Sequence, residues 1–173
     1  MSSCHMKLLA IDPAEIRSGW AVLDFEDSED SEDSMVSRLI DYGCIVSRNV
    51  KDKTRERGKA LVVVRHGIES VLLKHNPDKV CIEVEIPKWQ TSAKWRGRTD
   101  GVILETLAEN GHETVDEFLP NQISYFFLGA AGAYKIKRDV KKTKTVELVQ
   151  ELYNVSVGDD EADAISIGLF KGI

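Results

Sequence analysis

Hydrophobic residues in the first third of the chain fall into three short runs, residues 7–12, 17–24 and 36–47, separated by turn or polar residues. Short apolar runs bounded in this way predict β-strands, and three in succession predict an antiparallel meander. Between the second and third runs, residues 25–34 are acidic and rich in serine. A segment of that composition has little apolar surface to bury, so we expect a flexible, exposed loop there.

The middle of the chain changes to a helical period. Apolar residues recur at helical spacing from residue 54 up to an Asn-Pro pair at 76–77, which is a typical helix end. In "KVCIEVEI", residues 79–86, apolar side chains alternate with Cys81 and Glu83, which predicts a strand. The elements predicted after it are a polar loop at 88–98, a helix ending near 110, a strand at 113–119, and helices at 122–128, 144–153 and 161–170.

The predicted order is three strands, a helix, a strand, a helix, a strand and further helices. A meander followed by alternating helices and strands favours an α/β fold, with a five-stranded mixed sheet and helices on both faces. That pattern is compatible with an RNase H-like fold. A length of 173 residues predicts a single domain, residues 1–173.

Charge is distributed unevenly along the chain. The formal net charge is −6, but residues 26–33 alone carry six carboxylates, so the remainder is neutral. A basic block, "YKIKRDVKKTK", occupies residues 134–144. The acidic total therefore does not exclude nucleic-acid binding, because the sign of the charge varies locally.

The sequence gives no sign of a membrane or secreted protein. No apolar run approaches the roughly 20 residues that a membrane span needs, and the N-terminus lacks the apolar core of a secretory signal. Cys4, Cys44 and Cys81 form no paired spacing, which favours reduced thiols. We therefore expect a cytoplasmic protein with no membrane partner.

Carboxylates stand where the predicted sheet would gather them. Asp12 ends the first strand, Glu83 lies in the fourth strand, and Asp160 and Asp163 are three residues apart at the start of the last helix. Each alone has an ordinary explanation, as a turn residue, an ion-paired strand residue or an acid near a helix N-terminus. Together they would repel one another unless cations hold them, and magnesium prefers oxygen ligands. The sequence therefore predicts a metal site.

Three segments resemble the motifs of a known nuclease family. "LLAIDPAEIRSGWAVLD", "VCIEVEI" and "DDEADAISIGLF" are similar, in order and spacing, to the three motifs of the RuvC family of Holliday-junction resolvases. The resemblance implies an RNase H-like fold, a homodimer, and a Mg²⁺- or Mn²⁺-dependent endonuclease that cuts four-way DNA junctions and related branched DNA. The acidic block suggests a divergent member; a viral one, acting in host-cell cytoplasm, is one interpretation.

The resemblance also implies two ions per active site, bound by the catalytic acids Asp12, Glu83, Asp160 and Asp163. Glu85 competes with Glu83, which directly follows the apolar stretch, and Asp159 competes with Asp160, which has the three-residue spacing to Asp163. Ala14 stands where the family has a glycine, so the turn after Asp12 must avoid positive φ there.

The implied chemistry is two-metal hydrolysis of a phosphodiester. One ion would activate water for in-line attack, and the other would stabilise the departing 3′ oxygen. Asp12 is the candidate to bridge both ions. The family also has a catalytic lysine before the penultimate helix, and the apolar spacing places Lys142 there better than Lys144.

Two basic segments are candidate DNA-binding surfaces. "KWQTSAKWRGR", residues 88–98, mixes tryptophan with cations, which suits base stacking and phosphate contact, and Trp89 loosely matches an aromatic that stacks on junction bases in the family. The basic block at 134–144 suits phosphate contact, although a solvated helix face is the ordinary explanation of a charge run. The candidate DNA-binding residues are Trp89, Lys88, Lys94, Arg96, Arg98, Lys135, Lys137, Arg138, Lys141 and Lys144.

Three other functions are compatible with parts of the sequence. A relaxed structure-specific or RNA-directed nuclease would use the same fold and acids. An actin-like nucleotide-binding module is disfavoured because "DPAEIRSG" lacks a close glycine and 173 residues are too few for two lobes. A non-catalytic DNA-binding protein is disfavoured because all four acids are present.

Overall fold

A computed structural model of the chain describes residues 5–27, 35–47, 57–84 and 90–172. The early strands, the alternation of helix and strand and the helical C-terminal third agree with the sequence prediction. In chain order the elements are β1 (His5–Asp12), β2 (Arg17–Asp27), β3 (Met35–Val46), α1 (Arg57–His75), β4 (Lys79–Glu83), α2 (Gln90–Glu109), β5 (Asp116–Phe118), α3 (Pro120–Lys135), α4 (Arg138–Tyr153) and α5 (Asp159–Gly172).

The five strands form one mixed sheet in the order β3-β2-β1-β4-β5. β1 pairs with β2, and β2 with β3, in antiparallel fashion, whereas β4 runs parallel to both β1 and β5. The predicted meander and the predicted five-stranded mixed sheet are both confirmed. β1 is the central strand, so its carboxyl end lies beside that of its parallel neighbour β4.

Side chains of β1 alternate between the two faces of the sheet. Leu8 and Ala10 pack in a core with α5, whereas Leu9 and Ile11 pack in a second core with α1 and α2. All four of these side chains are fully buried. Helices therefore cover both faces of the sheet, as predicted. The same alternation of side chains decides on which face a polar residue at the end of a strand lies.

Helix α5 lies directly on β1 and β2. At Gly168, a Cβ would meet the side chain of Leu23 and come within 3.2 Å of the Ala10 Cβ, so the helix backbone approaches the strands closely. The absence of a side chain at this position allows that approach. The main chain of Asp160 also approaches Gly19, which pairs with Asp12, so the first turn of α5 lies over the carboxyl end of β1.

Helix ends follow the predicted signals. α1 stops where Asn76 turns to a φ of 45° and its amide donates to the Leu72 carbonyl at 2.8 Å. α2 stops before Gly111, which has a φ of 90°. Across the described residues, positive φ outside glycine is confined to Asn76 and Asn154, so the turn at Ala14 avoids it as predicted.

Three boundaries were predicted wrongly, because segments rich in charged residues belong to a helix or a strand where a loop was expected. α2 begins at Gln90, so the predicted polar loop at 88–98 is helical from residue 90 onward. α4 begins at Arg138 and includes most of the basic block, since lysine and arginine are good helix formers. β2 extends to Asp27, so residues 25–27 are not part of a loop. Phe25 explains the longer strand, because its side chain is 1% exposed in the core.

Several predicted elements also differ in length. β4 ends at Glu83, β5 has three residues, α3 runs on to Lys135 through a break at Gly129, and α5 begins at Asp159. The remaining acidic block, residues 28–34, and residues 54–56 of the first predicted helix lie outside the described residues. No helix in the described ranges is both long and apolar enough to cross a membrane.

Candidate active site

Two acids meet at the carboxyl ends of the central parallel strands. The register pairs Ile11 of β1 with Ile82 of β4, so the next residues, Asp12 and Glu83, are neighbours. Asp12 shares the strand face of Leu8 and Ala10, and Glu83 shares the face of Cys81, because side chains alternate. Both acids therefore lie on the side of the sheet that α5 covers.

The other two predicted acids come from the first two turns of α5. Asp160 and Asp163 are about one turn apart on this helix and line a cavity of about 510 Å³. Asp12 and Glu83 line the same cavity. The four acids that the sequence singled out are thus brought together at one edge of the sheet, and their catalytic roles remain predictions.

Helices α2, α3 and α4 form the other walls of the cavity. α4 contributes three cations, Arg138, Lys141 and Lys142, of which Lys142 lies within ion-pair distance of Asp163. α2 contributes Arg96, and α3 contributes a largely apolar surface that includes Phe127. The cavity therefore has an acidic floor, a basic wall and an apolar wall.

Three of the four acids each have a cation from a different element. Arg17 Nε lies 2.6 Å from Asp160 Oδ2, and Lys142 Nζ lies 3.7 Å from Asp163 Oδ2. Arg96 Nη2 lies 3.8 Å from Glu83 Oε1, and both side chains are 17% exposed.

Asp12 differs from the other acids. Within the part of the chain that the structure describes, no cation lies within ion-pair distance of its carboxylate. Burial raises the pKa of Asp12 well above its usual range, and the charges of Glu83 and Asp163 raise it further, while Arg96 opposes this. Burial likewise raises the pKa of Asp163, and the charge of Lys142 partly offsets the effect. The site is therefore short of positive charge at its centre.

The donor set suits divalent cations with oxygen ligands. Carboxylates are hard ligands that Mg²⁺ and Mn²⁺ accept, and Mg²⁺ usually keeps several waters and substrate oxygens. No three acids of the cavity have oxygens within 4.8 Å of one another; among the described residues, His5, Asp24 and Glu26 are the trio that meets this limit. The fit of the cavity acids to a divalent cation therefore rests on the chemistry of four carboxylates that line one cavity.

We expect the thermal stabilisation by Mg²⁺ to increase with pH. Because the pKa values of Asp12 and Asp163 are raised, the folded metal-free protein keeps protons that the unfolded chain has already lost. Stability of the metal-free protein therefore falls as the pH rises through the raised pKa values. An ion that replaces these protons binds better at high pH.

The expected size of this effect is measurable. At about 100 times its dissociation constant, an ion stabilises by about 2.7 kcal/mol, which in a domain of this size is a rise of roughly 5–10 °C in Tm. Thermal unfolding with and without Mg²⁺ at about pH 5.5 and about pH 8 measures it. A Mg²⁺-dependent shift that is the same at both pH values would contradict the assignment of the buried acids as ligands.

The structure distinguishes between the alternatives in one of the two pairs of competing acids. Asp159 is 57% exposed and contacts Lys142 Nζ at 3.4 Å, and it does not line the cavity, whereas Asp160 does. Glu85 lies outside the described residues, so Glu83 and Glu85 are not compared.

The predicted DNA-binding residues occupy different surroundings. Arg138 and Lys141 line the cavity, and Arg96 belongs to its wall rather than to an exposed loop. Arg98, Lys137 and Lys144 are exposed and lie outside the cavity lining. The predicted residues that lie outside the described residues or side chains are Lys88, Trp89, Lys94 and Lys135.

Sequence reasoning missed Arg17 as a site residue. Its partner Asp160 lies 143 residues further along the chain. An arginine at the start of β2 carries no local signal for this contact, because the pairing arises only when α5 docks. The apolar wall on α3 was also missed, since its residues read as ordinary core positions.

Comparison with known proteins agrees with this geometry. A family model described as "Crossover junction endodeoxyribonuclease RuvC" matches residues 8–171. A protein of that name from Gloeobacter violaceus is 31% identical over 96% of this chain and 87% of its own length. Another from Synechococcus sp. strain CC9311 is 28% identical over 95% of this chain and 96% of its own.

A solved structure shares the fold. Thermus thermophilus RuvC, in complex with Holliday junction substrate, matches with a TM-score of 0.71 and 18% identity, over 95% of this chain and 92% of its own. In the present chain, the mixed sheet and the acidic cavity at the ends of the central strands define an RNase H-like nuclease. With a family model covering nearly all of its length, the chain belongs to the RuvC family of crossover junction endodeoxyribonucleases.

Proposed function

We propose that this protein resolves four-way DNA junctions, hydrolysing phosphodiester bonds in Holliday junctions and related branched DNA. The observation that carries the proposal is the convergence of four family-motif acids in one cavity: Asp12, Glu83, Asp160 and Asp163. We further propose that the protein acts as a homodimer, because a symmetric junction offers two equivalent strands to cut. A cytoplasmic location is a separate part of the proposal.

The metal cofactor belongs to the same proposal. Metal dependence is typical of this family, and the cavity acids fit Mg²⁺ or Mn²⁺, two ions per site. Bound there, the ions would supply an activated water and stabilise the departing 3′ oxygen. Asp12 is the proposed shared ligand, because the charges of both Glu83 and Asp163 act on its carboxylate and no cation of the described structure lies within ion-pair distance of it.

The chain's own cations have two tasks in this mechanism. Arg138 and Lys141 lie on the cavity wall and would attract the phosphate backbone, so binding should weaken as salt rises. Lys142 holds Asp159 and Asp163 in the protein without DNA, at 3.4 and 3.7 Å. Its ammonium group would shift toward the scissile phosphate and stabilise the charge that develops there.

A panel of DNA substrates tests the proposed function. We expect cleavage of a synthetic four-way junction in Mg²⁺ or Mn²⁺, no cleavage with EDTA, and at least about tenfold slower cleavage of linear duplex, since shape recognition aligns the strand with the site. Flap and RNA–DNA hybrid substrates identify the alternative functions. Equal cleavage of all substrates indicates a relaxed nuclease, and preference for the hybrid indicates an RNA-directed one.

Sedimentation velocity, with and without a junction, tests the oligomeric state. We expect a dimer on the junction and paired cuts in opposite strands. A monomer that makes single, unpaired cuts would contradict the homodimer while leaving the nuclease assignment intact.

A further inference from the structure

Arg17 has no part in the proposed mechanism, yet it makes the shortest ion pair between described residues of the candidate site. We propose that Arg17 is a positioning residue: from outside the cavity it holds the Asp160 carboxylate in the orientation that binds a divalent ion. This inference rests on the proposed function and deepens it. It assigns to the start of β2 the control of metal affinity in the active site.

Two contacts hold the same carboxylate oxygen. Arg17 Nε donates to Asp160 Oδ2 at 2.6 Å, and the Cys44 Sγ lies 3.9 Å from that oxygen. A thiol is a weak donor, so this contact adds to the stronger hydrogen bond from Arg17. Both contacts use Oδ2. Because Asp160 also lines the cavity, the second oxygen, Oδ1, is the one that would bind the ion.

The backbone beneath the carboxylate is fixed as well. Gly19 of β2 approaches the main-chain carbonyl of Asp160 so closely that a Cβ at Gly19 would overlap it. The β2–β3 register pairs Gly19 with Cys44, so the residue that contacts the Asp160 main chain and the residue that contacts its side chain are cross-strand neighbours. The first turn of α5 therefore rests on a fixed part of the sheet, and Arg17 adds the last constraint, on the side chain.

A contribution to folding stability does not account for this contact. Arg17 is 49% exposed, and ion pairs between exposed groups stabilise proteins little. A carboxylate oriented by a hydrogen-bond donor, in contrast, commonly binds metal 10- to 100-fold better, roughly, than one left free. The alternative is that Arg17 simply competes with the ion for Asp160, which predicts the opposite change in affinity when the arginine is removed.

Calorimetric titration of the DNA-free protein with Mn²⁺ and with Mg²⁺ separates these alternatives. We expect Arg17→Met to weaken ion binding about tenfold or more, with little change in metal-free Tm. Arg17→Lys keeps the charge but loses the planar donor group, so an intermediate loss is expected. At saturating metal, junction cleavage by Arg17→Met should return to near the parent rate, because the ligand set is intact.

Arg65→Met is the matched control. Arg65 is also an arginine paired with a carboxylate, 3.0 Å from Glu105 Oε2, but it lies on α1, which packs on the face of the sheet opposite to α5. We expect this variant to bind ions like the parent. Equal losses in Arg17→Met and Arg65→Met would mean that general charge, not positioning, is measured, and this would overturn the inference.

Unchanged or tighter ion binding in Arg17→Met also overturns it, since either result identifies Arg17 as neutral or as a competitor of the ion. If Arg17→Met does not fold, Arg17→Lys decides in the same assay, because it preserves the ion pair's charges. Failure of the proposed function looks different. In that case the parent protein binds the ions, with the expected loss in the variant, yet cuts no junction.

Discussion

We expect Asp12→Asn to reduce junction cleavage by about 1000-fold or more, equivalent to about 4 kcal/mol of lost transition-state stabilisation, and to leave junction binding intact. Asp12 lies where the acids of β1, β4 and α5 converge, and the described structure gives it no cation of its own. The amide keeps the size of the side chain but removes the charge that a divalent ion would bind. Loss of that charge also reduces repulsion of the DNA backbone, so binding should be equal or tighter.

The same substitution should stabilise the metal-free protein. Burial and the charges of Glu83 and Asp163 raise the pKa of Asp12, so its ionised form is unfavourable in the folded state. A group whose folded pKa is raised contributes stability at low pH that is lost as the pH rises through that pKa. Asp12→Asn removes this loss. Its metal-free Tm should therefore exceed that of the parent by more at about pH 8 than at about pH 5.

Asp159→Asn is the matched control. Asp159 belongs to the same acidic segment but is 57% exposed and lies outside the cavity lining. Cleavage assays on a labelled junction, with binding measured in Ca²⁺, should show a small effect for Asp159→Asn and a complete loss for Asp12→Asn. Cleavage by Asp12→Asn within about tenfold of the parent, less than about 1.4 kcal/mol, would exclude Asp12 as the shared ligand.

The convergence of Asp12 and Glu83 could be predicted because it depends on short-range rules. Side-chain alternation assigns each acid to a face of its strand, and the parallel pairing of β1 with β4 aligns the strand ends. The proximity of the Asp160 and Asp163 side chains could be predicted from their three-residue spacing on a helix. The order of strands and helices sufficed to bring these local patterns together, so the fold class and the convergence of the four acids were predicted correctly, while their roles as metal ligands stay predictions.

The cations around the acids could not be predicted in the same way. Arg96 was assigned to an exposed loop, because its neighbours are polar, but the segment is helical and directs Arg96 into the cavity wall beside Glu83. Arg17 meets Asp160 only after α5 has docked on the sheet. Such contacts depend on packing between elements that are distant in the chain, which periodicity does not encode. Helix ends within charged segments were misplaced for a related reason, since charge was taken as a sign of loop.

The second large effect is expected at Lys142. We expect Lys142→Ala to slow junction cleavage by roughly 100-fold, the loss typical when one donor to a developing negative charge is removed. The Lys142 Nζ is 3.4 Å from Asp159 and 3.7 Å from Asp163, within the cavity lining. Although burial opposes it, the charges of these acids raise the pKa of Lys142, so the ammonium form persists at neutral pH.

Lys144→Ala is the control, because it removes the same charge from the same helix. Lys144 is exposed and does not line the cavity, so we expect a change of no more than about threefold, less than about 0.7 kcal/mol. Rates measured at saturating enzyme and metal, together with metal-free Tm values, distinguish the two lysines. Lys142→Ala should lower the metal-free Tm, opposite to the effect of Asp12→Asn, because it leaves Asp163 without its cation. Equal losses of cleavage in both lysine variants would show that α4 supplies diffuse positive charge and that neither ammonium group has a specific role at the scissile phosphate.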